Sequence, residues 1–264
     1  MKKEFYFGTN TKMYMTAERT KDYLAALGTL CTDLDRSKTE LFVIPSFTSL
    51  HVAKPLTQAG NILLGAQNMH WDDFGAHTGD ISPLMLEEAG VQVVEIGHSE
   101  RRHDMGETDE MENRKVLSAL RHGFTALLCV GETEAEKENG ISAETLSRQL
   151  KLGLLGVDSA DCNSLWVAYE PVWAIGEHGK PASADYAEKM HRHMRTVLCE
   201  LFGEAGEQIP LLYGGSVHLD NAAALAREPH IDGLFVGRSA WEAENFRKLM
   251  DVALCARREA KSSE

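Results

Sequence analysis

Eight short apolar runs, separated by longer amphipathic segments, constrain the fold of this 264-residue chain more than any other feature. In the segments between the runs, apolar residues recur at helical spacing, as with Tyr23, Leu24 and Leu27, or with Met190 and Met194. Strands that alternate with helices form a parallel sheet, and eight such units close most naturally into a (β/α)8 barrel. The apolar runs cover residues 5–7, 41–44, 62–64, 91–96, 125–130, 165–169, 209–213 and 233–236.

Helix start signals support this fold class. Thr16 and Ser183 precede two helical segments at N-cap positions, and Glu18 and Asp185 follow in the first turns, where a carboxylate complements the helix dipole. A doubly wound open sheet is the alternative, but no Gly-x-Gly-x-x-Gly follows the first strand, where a dinucleotide site would place one. We predict an α/β protein whose eight parallel strands form a single barrel domain over residues 1–264.

Composition and charge narrow the class of protein. With 43% hydrophobic residues, the chain can bury a sizeable core. The formal charge of −13 argues against nucleic acid or an anionic membrane as a partner, because phosphate-rich surfaces select clustered Lys and Arg. The start resembles no secretory signal, and no run approaches the ~20 apolar residues that span a bilayer. Five cysteines without close pairs and eleven histidines without ligand spacing predict reduced thiols and no metal site. We expect a cytoplasmic protein.

Polar residues directly after the predicted strands mark a candidate active site. Asn10 and Lys12 follow the first strand, His98 and Glu100 the fourth, and Glu170 the sixth. In a (β/α)8 barrel these positions meet at one end, where active sites lie. A lone His or Lys at a strand end is usually solvated or satisfied in the core. A carboxylate, an imidazole and an ammonium group together favour proton abstraction next to a carbonyl, because the carboxylate takes the proton and the other two stabilise the enediolate.

The turns after strands seven and eight are rich in glycine. Residues 214–216 read Gly-Gly-Ser and residues 237–239 read Gly-Arg-Ser. Exposed backbone N–H groups in such turns can surround an anion, and barrels frequently bind phosphate there. Glycines that only permit tight turns are the alternative. Because both turns occur where a phosphate site is expected, we predict a phosphorylated substrate.

The segment after the sixth strand, residues 171–182, predicts a hinged lid. Pro171 stiffens its start, and Gly176 and Gly179 provide flexible points. Trp173 is a large apolar side chain, and such a side chain in an exposed loop usually serves an interaction. Closure over a substrate is such an interaction.

Five motifs occur in order along nearly the whole chain: GTNTKM at 8–13, GAQN at 65–68, GHSERR at 97–102, AYEPVWAIG at 168–176 and YGGSV at 213–217. In these motifs the chain resembles the triosephosphate isomerase family. The resemblance implies a TIM barrel that isomerises a short sugar phosphate without a cofactor or metal. It implies the following roles: Glu170 as base, His98 as electrophile, Lys12 and Asn10 in the substrate cradle, and phosphate contacts at Gly176, Ser216, Gly237 and its neighbour Arg238.

The resemblance also implies how the site is supported. In the family the electrophile is a neutral imidazole in front of a helix, so His98 should precede a helix here. Pairing with Glu100 would fix the head group of Lys12. Residues 67–80 resemble the loop by which family dimers interlock, with Thr78 reaching toward the neighbour's site, so we expect a homodimer.

Three departures from the family pattern concern substrate choice. Thr11 stands where the family usually has Trp, Arg238 replaces the second glycine after strand eight, and the lid is one residue longer over 176–182, with a charged tip. These changes suggest a longer substrate, and some paralogues in the family are tetrulose-phosphate isomerases. We rank dihydroxyacetone phosphate and glyceraldehyde 3-phosphate first, with roles in glycolysis and gluconeogenesis. The isomerisation of L-erythrulose 1-phosphate to D-erythrulose 4-phosphate is the alternative.

Two other functions fit the sequence less well. A Schiff-base aldolase needs a lysine at the end of a central strand, and strand six has none. A non-catalytic phosphate-binding barrel would not need Glu170, His98 and Lys12 together, since phosphate binding uses none of the proton-transfer groups.

Overall fold

Eight parallel strands form a closed barrel in the computed structural model, which describes residues 2–176 and 179–262. The strands are β1 Phe5–Asn10, β2 Thr39–Ile44, β3 Leu63–Ala66, β4 Val93–Ile96, β5 Thr125–Val130, β6 Leu165–Tyr169, β7 Leu211–Tyr213 and β8 Gly233–Val236. Each strand pairs with the next along the chain, and β8 closes the ring by pairing with β1. The predicted (β/α)8 barrel is confirmed.

Helices connect the strands and pack around the outside of the barrel. They are α1 Ala17–Leu30, α2 Leu50–Ala59, α3 Pro83–Ala89, α4 Ser99–Asp104, α5 Asp109–Arg121, α6 Glu134–Glu138, α7 Ser142–Gly153, α8 Ala184–Phe202, α9 Glu204–Gln208, α10 Leu219–Arg227 and α11 Ala243–Lys261. Thr16 accepts the N–H of Arg19 and Ser183 accepts the N–H of Tyr186, which confirms both predicted N-caps. Among the described residues, no helix combines the length and apolar character needed to cross a membrane.

Strand limits differ from the apolar runs at several places. The seventh strand begins at Leu211 rather than at residue 209, because Pro210 has no N–H to donate to a neighbouring strand. The first strand continues three residues past its apolar run and pairs with β2 as far as Asn10. Gly8 in that extension is required sterically, since a Cβ there would lie 1.9 Å from the ring of Phe42.

Two packed layers hold the barrel together, one inside the strands and one between strands and helices. Inside the barrel, the indole of Trp166 contacts the rings of Tyr6 and Phe42, with centroids 5.1 and 5.4 Å apart. Each such side chain contributes about 1.5–3 kcal/mol by leaving water. The interior is therefore a filled core, and the open space for chemistry lies at the carboxyl ends of the strands.

Candidate active site

A pocket of about 200 Å³ opens at the carboxyl end of the barrel. Strand ends and turns from both halves of the sequence contribute to its wall. Every residue that the sequence predicted for catalysis or phosphate binding lies in that wall: Asn10, Lys12, His98, Glu100, Glu170, Gly176, Ser216, Gly237 and Arg238. The barrel thus brings together residues up to 228 positions apart, from Asn10 to Arg238 (238 − 10).

Glu170 lies directly after β6 with its carboxylate almost fully buried. Its N–H donates to the carbonyl of Val130 at 2.7 Å, which fixes the backbone at the strand end. Two glycines make room for it, because a Cβ at Gly131 would lie 1.9 Å from the carbonyl oxygen of Glu170, and a Cβ at Gly214 would lie 2.8 Å from its Cγ. Within the described part of the chain Oε2 accepts no hydrogen bond. The carboxylate is thus held in place with an oxygen available to take a proton.

His98 faces Glu170 from the start of α4. Its Nδ1 accepts the backbone N–H of Glu100 at 3.1 Å, so the ring acts as the N-cap of the helix. A nitrogen that accepts an N–H carries no proton itself, so the imidazole is neutral and Nε2 bears the hydrogen. Nε2 lies 3.8 Å from Oε2 of Glu170 and can donate to a substrate oxygen between them. The predicted position before a helix is present.

Lys12 is held in a strained backbone conformation. Its φ is 49°, in the left-handed region that side chains other than glycine rarely adopt. Its Nζ forms an ion pair with Oε1 of Glu100 at 2.6 Å. Burial would raise the pKa of Glu100, but the hydrogen bond from Lys12 and the charge of its ammonium group bring that pKa below the usual value. Glu100 therefore stays ionised and holds the ammonium group at the pocket wall.

Asn10 ends β1 and is held at both ends of its amide. Its Oδ1 accepts the N–H of Lys12 at 2.6 Å and Nε2 of Gln67 at 3.0 Å, and its Nδ2 donates to Oε2 of Glu95 at 2.5 Å. The indole of Trp241 donates to its backbone carbonyl at 2.9 Å. These contacts fix both the plane of the amide and the identity of its nitrogen end.

The opposite end of the pocket is formed by backbone. Gly215 and Ser216 follow β7, and Gly237 follows β8. In the ranges that the structure describes, the N–H groups of these three residues donate to no protein acceptor. Backbone N–H groups without a protein acceptor at a pocket wall suit an anion, and the turns after strands seven and eight are where barrels frequently bind phosphate. Gly176, at φ 91°, completes this end from the lid side.

A model of the triosephosphate isomerase family matches residues 5–253 of the chain. The chain belongs to the triosephosphate isomerase family. It is thus an enzyme of the isomerase class. Proteins similar to this chain are named for different substrates.

Relatives named L-erythrulose-1-phosphate isomerase are similar along almost the whole chain. The protein from Rhizobium etli is 45% identical over 247 residues, which are 93% of this chain and 91% of the relative. The protein from Mesorhizobium japonicum is 44% identical and the alignment covers 97% of this chain and 100% of the relative. Among solved structures, a triosephosphate isomerase from Bartonella henselae superposes with a TM-score of 0.85 at 36% identity, covering 94% of this chain and 98% of that protein.

The base of the predicted lid rests on a buried carboxylate that sequence reasoning missed. Glu132, fully buried after β5, accepts from the indole of Trp173 at 2.9 Å and from the hydroxyls of Tyr169 and Tyr186 at 3.0 and 2.8 Å. Nζ of Lys137 lies 3.3 Å from the centroid of the Trp173 ring. The predicted apolar lid residue is therefore anchored through its polar edge. The charged lid tip, residues 177–178, lies outside the described residues.

Two groups of side chains in the described ranges come close enough to share a metal ion. One is Glu95, His98 and Glu170, and the other consists of His70, His77 and Asp80 in the loop at 67–80. The first group includes the facing pair of Glu170 and His98. Two atoms of this group already accept hydrogen bonds within the protein. Nδ1 of His98 accepts the N–H of Glu100, and Oε2 of Glu95 accepts from the Asn10 amide.

The sequence analysis predicted no role at the site for Glu95, Gln67 or Trp241. Glu95 lay inside an apolar run and was assigned to the strand. A charged residue one position before the end of a buried strand run is itself a signal, because burying it requires a partner. Trp241, which lines the pocket and stacks against Tyr14 with ring centroids 4.5 Å apart, had no such signal in the linear sequence.

Proposed function

We propose that this enzyme interconverts L-erythrulose 1-phosphate and D-erythrulose 4-phosphate by cofactor-free proton transfer. The observation that carries the reaction type is the facing pair of Glu170 Oε2 and His98 Nε2, 3.8 Å apart at the pocket wall. The substrate assignment is supported by relatives of that name, 41–45% identical over nearly the whole chain. The sequence motifs alone favoured triose phosphates, and the names of these relatives support placing the tetrulose phosphates first.

Proton abstraction begins at the carbon beside the ketone. Glu170 removes the proton from C3 of L-erythrulose 1-phosphate, and the electron pair forms a C2–C3 double bond while the C2 carbonyl oxygen becomes an enediolate oxygen. The same carboxylate then returns the proton to C2, and the carbonyl forms at C3. Counted from the other end of the chain, the product is the 4-phosphate. Atoms and charge balance without a second reactant.

Positive and hydrogen-bonding groups stabilise the enediolate. The Nε2–H of His98 donates to the oxygens on C2 and C3 and carries a proton between them. The ammonium group of Lys12, fixed by Glu100, lowers the energy of the developing charge, and the Asn10 amide supplies a further donor. Donors that are already oriented stabilise the charge without reorganising, which makes them more effective than water.

The phosphate holds the substrate at the other end. We assign the phosphate site to the N–H groups of Gly215, Ser216 and Gly237, closed by Gly176 of the lid. The side chain of Arg238 lies at the same rim and can add a charge-assisted contact. Lid closure would keep water from the enediolate, which otherwise eliminates phosphate.

Steady-state assays of the purified enzyme test the assignment. We expect kcat/KM to be higher for L-erythrulose 1-phosphate than for dihydroxyacetone phosphate by about tenfold or more, because one well-placed hydrogen bond to the extra hydroxyl is worth roughly that factor. A preference for the triose would instead identify a triosephosphate isomerase and support glycolysis and gluconeogenesis as its pathways. Glu170→Gln should abolish turnover of either substrate.

We also propose a homodimer in which residues 67–80 insert into the neighbour. Thr78 lies in an exposed part of that loop, and the side chains of Phe74 and Met13 are 84% and 96% exposed. Apolar side chains this exposed mark interaction surfaces. Sedimentation should give twice the chain mass, and Phe74→Asp should shift the enzyme to monomers. A wild-type monomer at micromolar concentration would contradict the proposal.

The five free cysteines suit a reducing compartment such as the cytoplasm.

A further inference from the structure

One carboxyl group beneath the pocket has no role in the proposed chemistry. Glu95 is the third residue of β4 and is fully buried. Strand alternation directs it, together with Val93, into the interior of the barrel. Other side chains there are apolar, such as Ile44, Ala168 and Leu212. A carboxyl group in such a core is costly unless its oxygens have partners, so its presence requires a reason.

The contact that explains Glu95 is the amide of Asn10. Asn10 Nδ2 donates to Oε2 of Glu95 at 2.5 Å, while Oδ1 of the same amide accepts from Lys12 and Gln67. Nδ2 carries two hydrogens, so the second remains for a substrate oxygen. Without an acceptor at Glu95, the amide is held only at its oxygen end. Oδ1 of Asn10 also accepts the N–H of Lys12, whose backbone is strained. A rotation of the Asn10 amide would therefore also displace the ammonium group of Lys12.

Charge separates the roles of Glu95 and Glu170. Oxygens of both residues and a nitrogen of His98 all lie within 4.8 Å of one another. Two carboxylates this close do not both ionise readily, so one keeps a proton. Burial first, and then the charge of Glu170, raise the pKa of Glu95 well above its usual value. Glu170 lines the pocket and Glu95 does not. The titratable and charged groups around Glu95 are Lys12, His98, Glu100, Cys129 and Glu170.

We propose that Glu95 is a positioning residue: an uncharged carboxylic acid that aims the Asn10 amide at the substrate and leaves Glu170 as the ionised carboxylate. The inference rests on the proposed proton-transfer function. Glu95 contacts no substrate and acts through Asn10 and Lys12.

Three variants of the full-length enzyme separate positioning from packing. Glu95→Leu keeps bulk but offers no acceptor, and we expect kcat to fall about 10- to 100-fold while KM changes little, because misplacing a reacting group by about 1 Å costs on that order. Glu95→Gln keeps an acceptor for Asn10 and should recover most of the lost rate. Val93→Ala, one layer deeper on the same strand, should lower the melting temperature without lowering kcat. Wild-type kcat in Glu95→Leu would overturn the proposal.

The pH profile tests whether Glu95 is charged, and a double-mutant cycle tests whether Glu95 acts through Asn10. If Glu95 is uncharged, the acid limb of kcat/KM in Glu95→Gln coincides with that of the wild type. If it is ionised, removing its charge shifts that limb down by about one pH unit or more, which contradicts the proposal. Asn10→Ala combined with Glu95→Leu should be no slower than Asn10→Ala alone, whereas additive losses exclude a route through Asn10. The pH test uses only Glu95→Gln, so it decides the protonation state of Glu95 even if Glu95→Leu folds poorly.

Failure of the proposed function gives a different result from failure of this inference. If the wild-type enzyme shows no isomerisation of tetrulose or triose phosphates, the proposed function is wrong. If the wild type is active and the Glu95 variants match it, only the role of Glu95 is wrong.

Discussion

The two ends of the pocket differ in the groups that form them: side chains at one end and mainly backbone at the other. At the end formed by β1, β4 and β6, side chains are held by polar contacts: Glu95 fixes Asn10, Glu100 fixes Lys12, and the start of α4 fixes His98. At the end formed by the turns after β7 and β8, backbone N–H groups and partly exposed loops surround the space. The first end is rigid because Asn10, Lys12 and His98 are each held by a hydrogen bond or an ion pair. The second is adaptable because side chains there can change without disturbing such a network.

This difference predicts where catalysis and specificity reside. A developing charge is stabilised best by groups that need no reorganisation, so the proton-transfer groups belong at the rigid end. Substrates of one family differ beyond the reacting carbons, and loops can adapt to that difference without altering the chemistry. Substitutions at the β1–β4–β6 end should therefore change kcat, and substitutions at the turn end should change the choice among substrates.

The largest effect is expected at Glu170. Glu170→Asp withdraws the carboxylate by about one methylene, and we expect kcat to fall about 100-fold or more with KM nearly unchanged, because position rather than charge is lost. Steady-state kinetics measure both constants. Glu134→Asp, an exposed carboxylate on α6, is the matched control. An undiminished kcat in Glu170→Asp would remove this residue from the mechanism.

A smaller and more selective effect is expected at Arg238. Its guanidinium can reach a hydroxyl beyond the three-carbon frame, and a hydrogen bond that forms in the transition state contributes about 1.5–3 kcal/mol, or roughly ten- to a hundredfold. Arg238→Gly should lower kcat/KM for the tetrulose phosphate by that factor and for the triose phosphate by less. Arg238→Lys tests whether charge alone suffices. Equal losses on both substrates would show that Arg238 serves phosphate or structure.

Stability should respond to pH through a residue behind the rigid end, outside the pocket. His191 on α8 is fully buried against the rings of Tyr169 and Tyr213, and burial lowers its pKa to about 3. Below pH 6.5 the unfolded chain binds a proton that the folded chain excludes, so this residue's stability contribution is present above pH 6.5 and falls toward pH 3. Its share of the loss between pH 7 and 5 is about 2 kcal/mol.

Denaturant titrations of His191→Gln and wild type at several pH values measure the contribution of His191 to the free energy of unfolding. Burial raises the pKa of Glu112 to about 7, which contributes the opposite slope above pH 4.5 in both proteins. The difference between the two slopes therefore isolates His191, and His51→Gln, at an exposed position, should keep the wild-type slope. Parallel stability curves for His191→Gln and wild type would mean that another group absorbs the protons.

No effect at all is expected from removing metal ions. In the proposed mechanism, side chains and backbone N–H groups stabilise every developing charge. Exhaustive treatment with a chelator should leave kcat and KM unchanged on either substrate. Lost activity that a divalent ion restores would contradict the mechanism and direct attention to Glu95, His98 and Glu170, whose ligand atoms lie within 4.8 Å of one another.

The sequence by itself determined the barrel and most of the pocket wall. Apolar runs at regular intervals predicted the eight strands, because a strand buried on both faces must be apolar throughout. Polar residues placed directly after those runs, such as Lys12, His98 and Glu170, stood out because local order along the chain specifies which end of a parallel barrel they reach. The turns that we propose for phosphate binding stood out because glycine leaves backbone N–H groups exposed.

Only the tertiary structure decided which side chains hold these residues in place. Glu95 and Asn10 are 85 positions apart, and Glu132 and Tyr186 are 54 apart, so no local pattern connects them. Their hydrogen bonds exist because barrel closure directs β1 and β4 residues into one interior, and because α8 folds back against the end of β5. Local sequence sets which strand end a residue occupies, whereas burial and charge between distant strands set its orientation and protonation, and those are properties of the closed barrel alone.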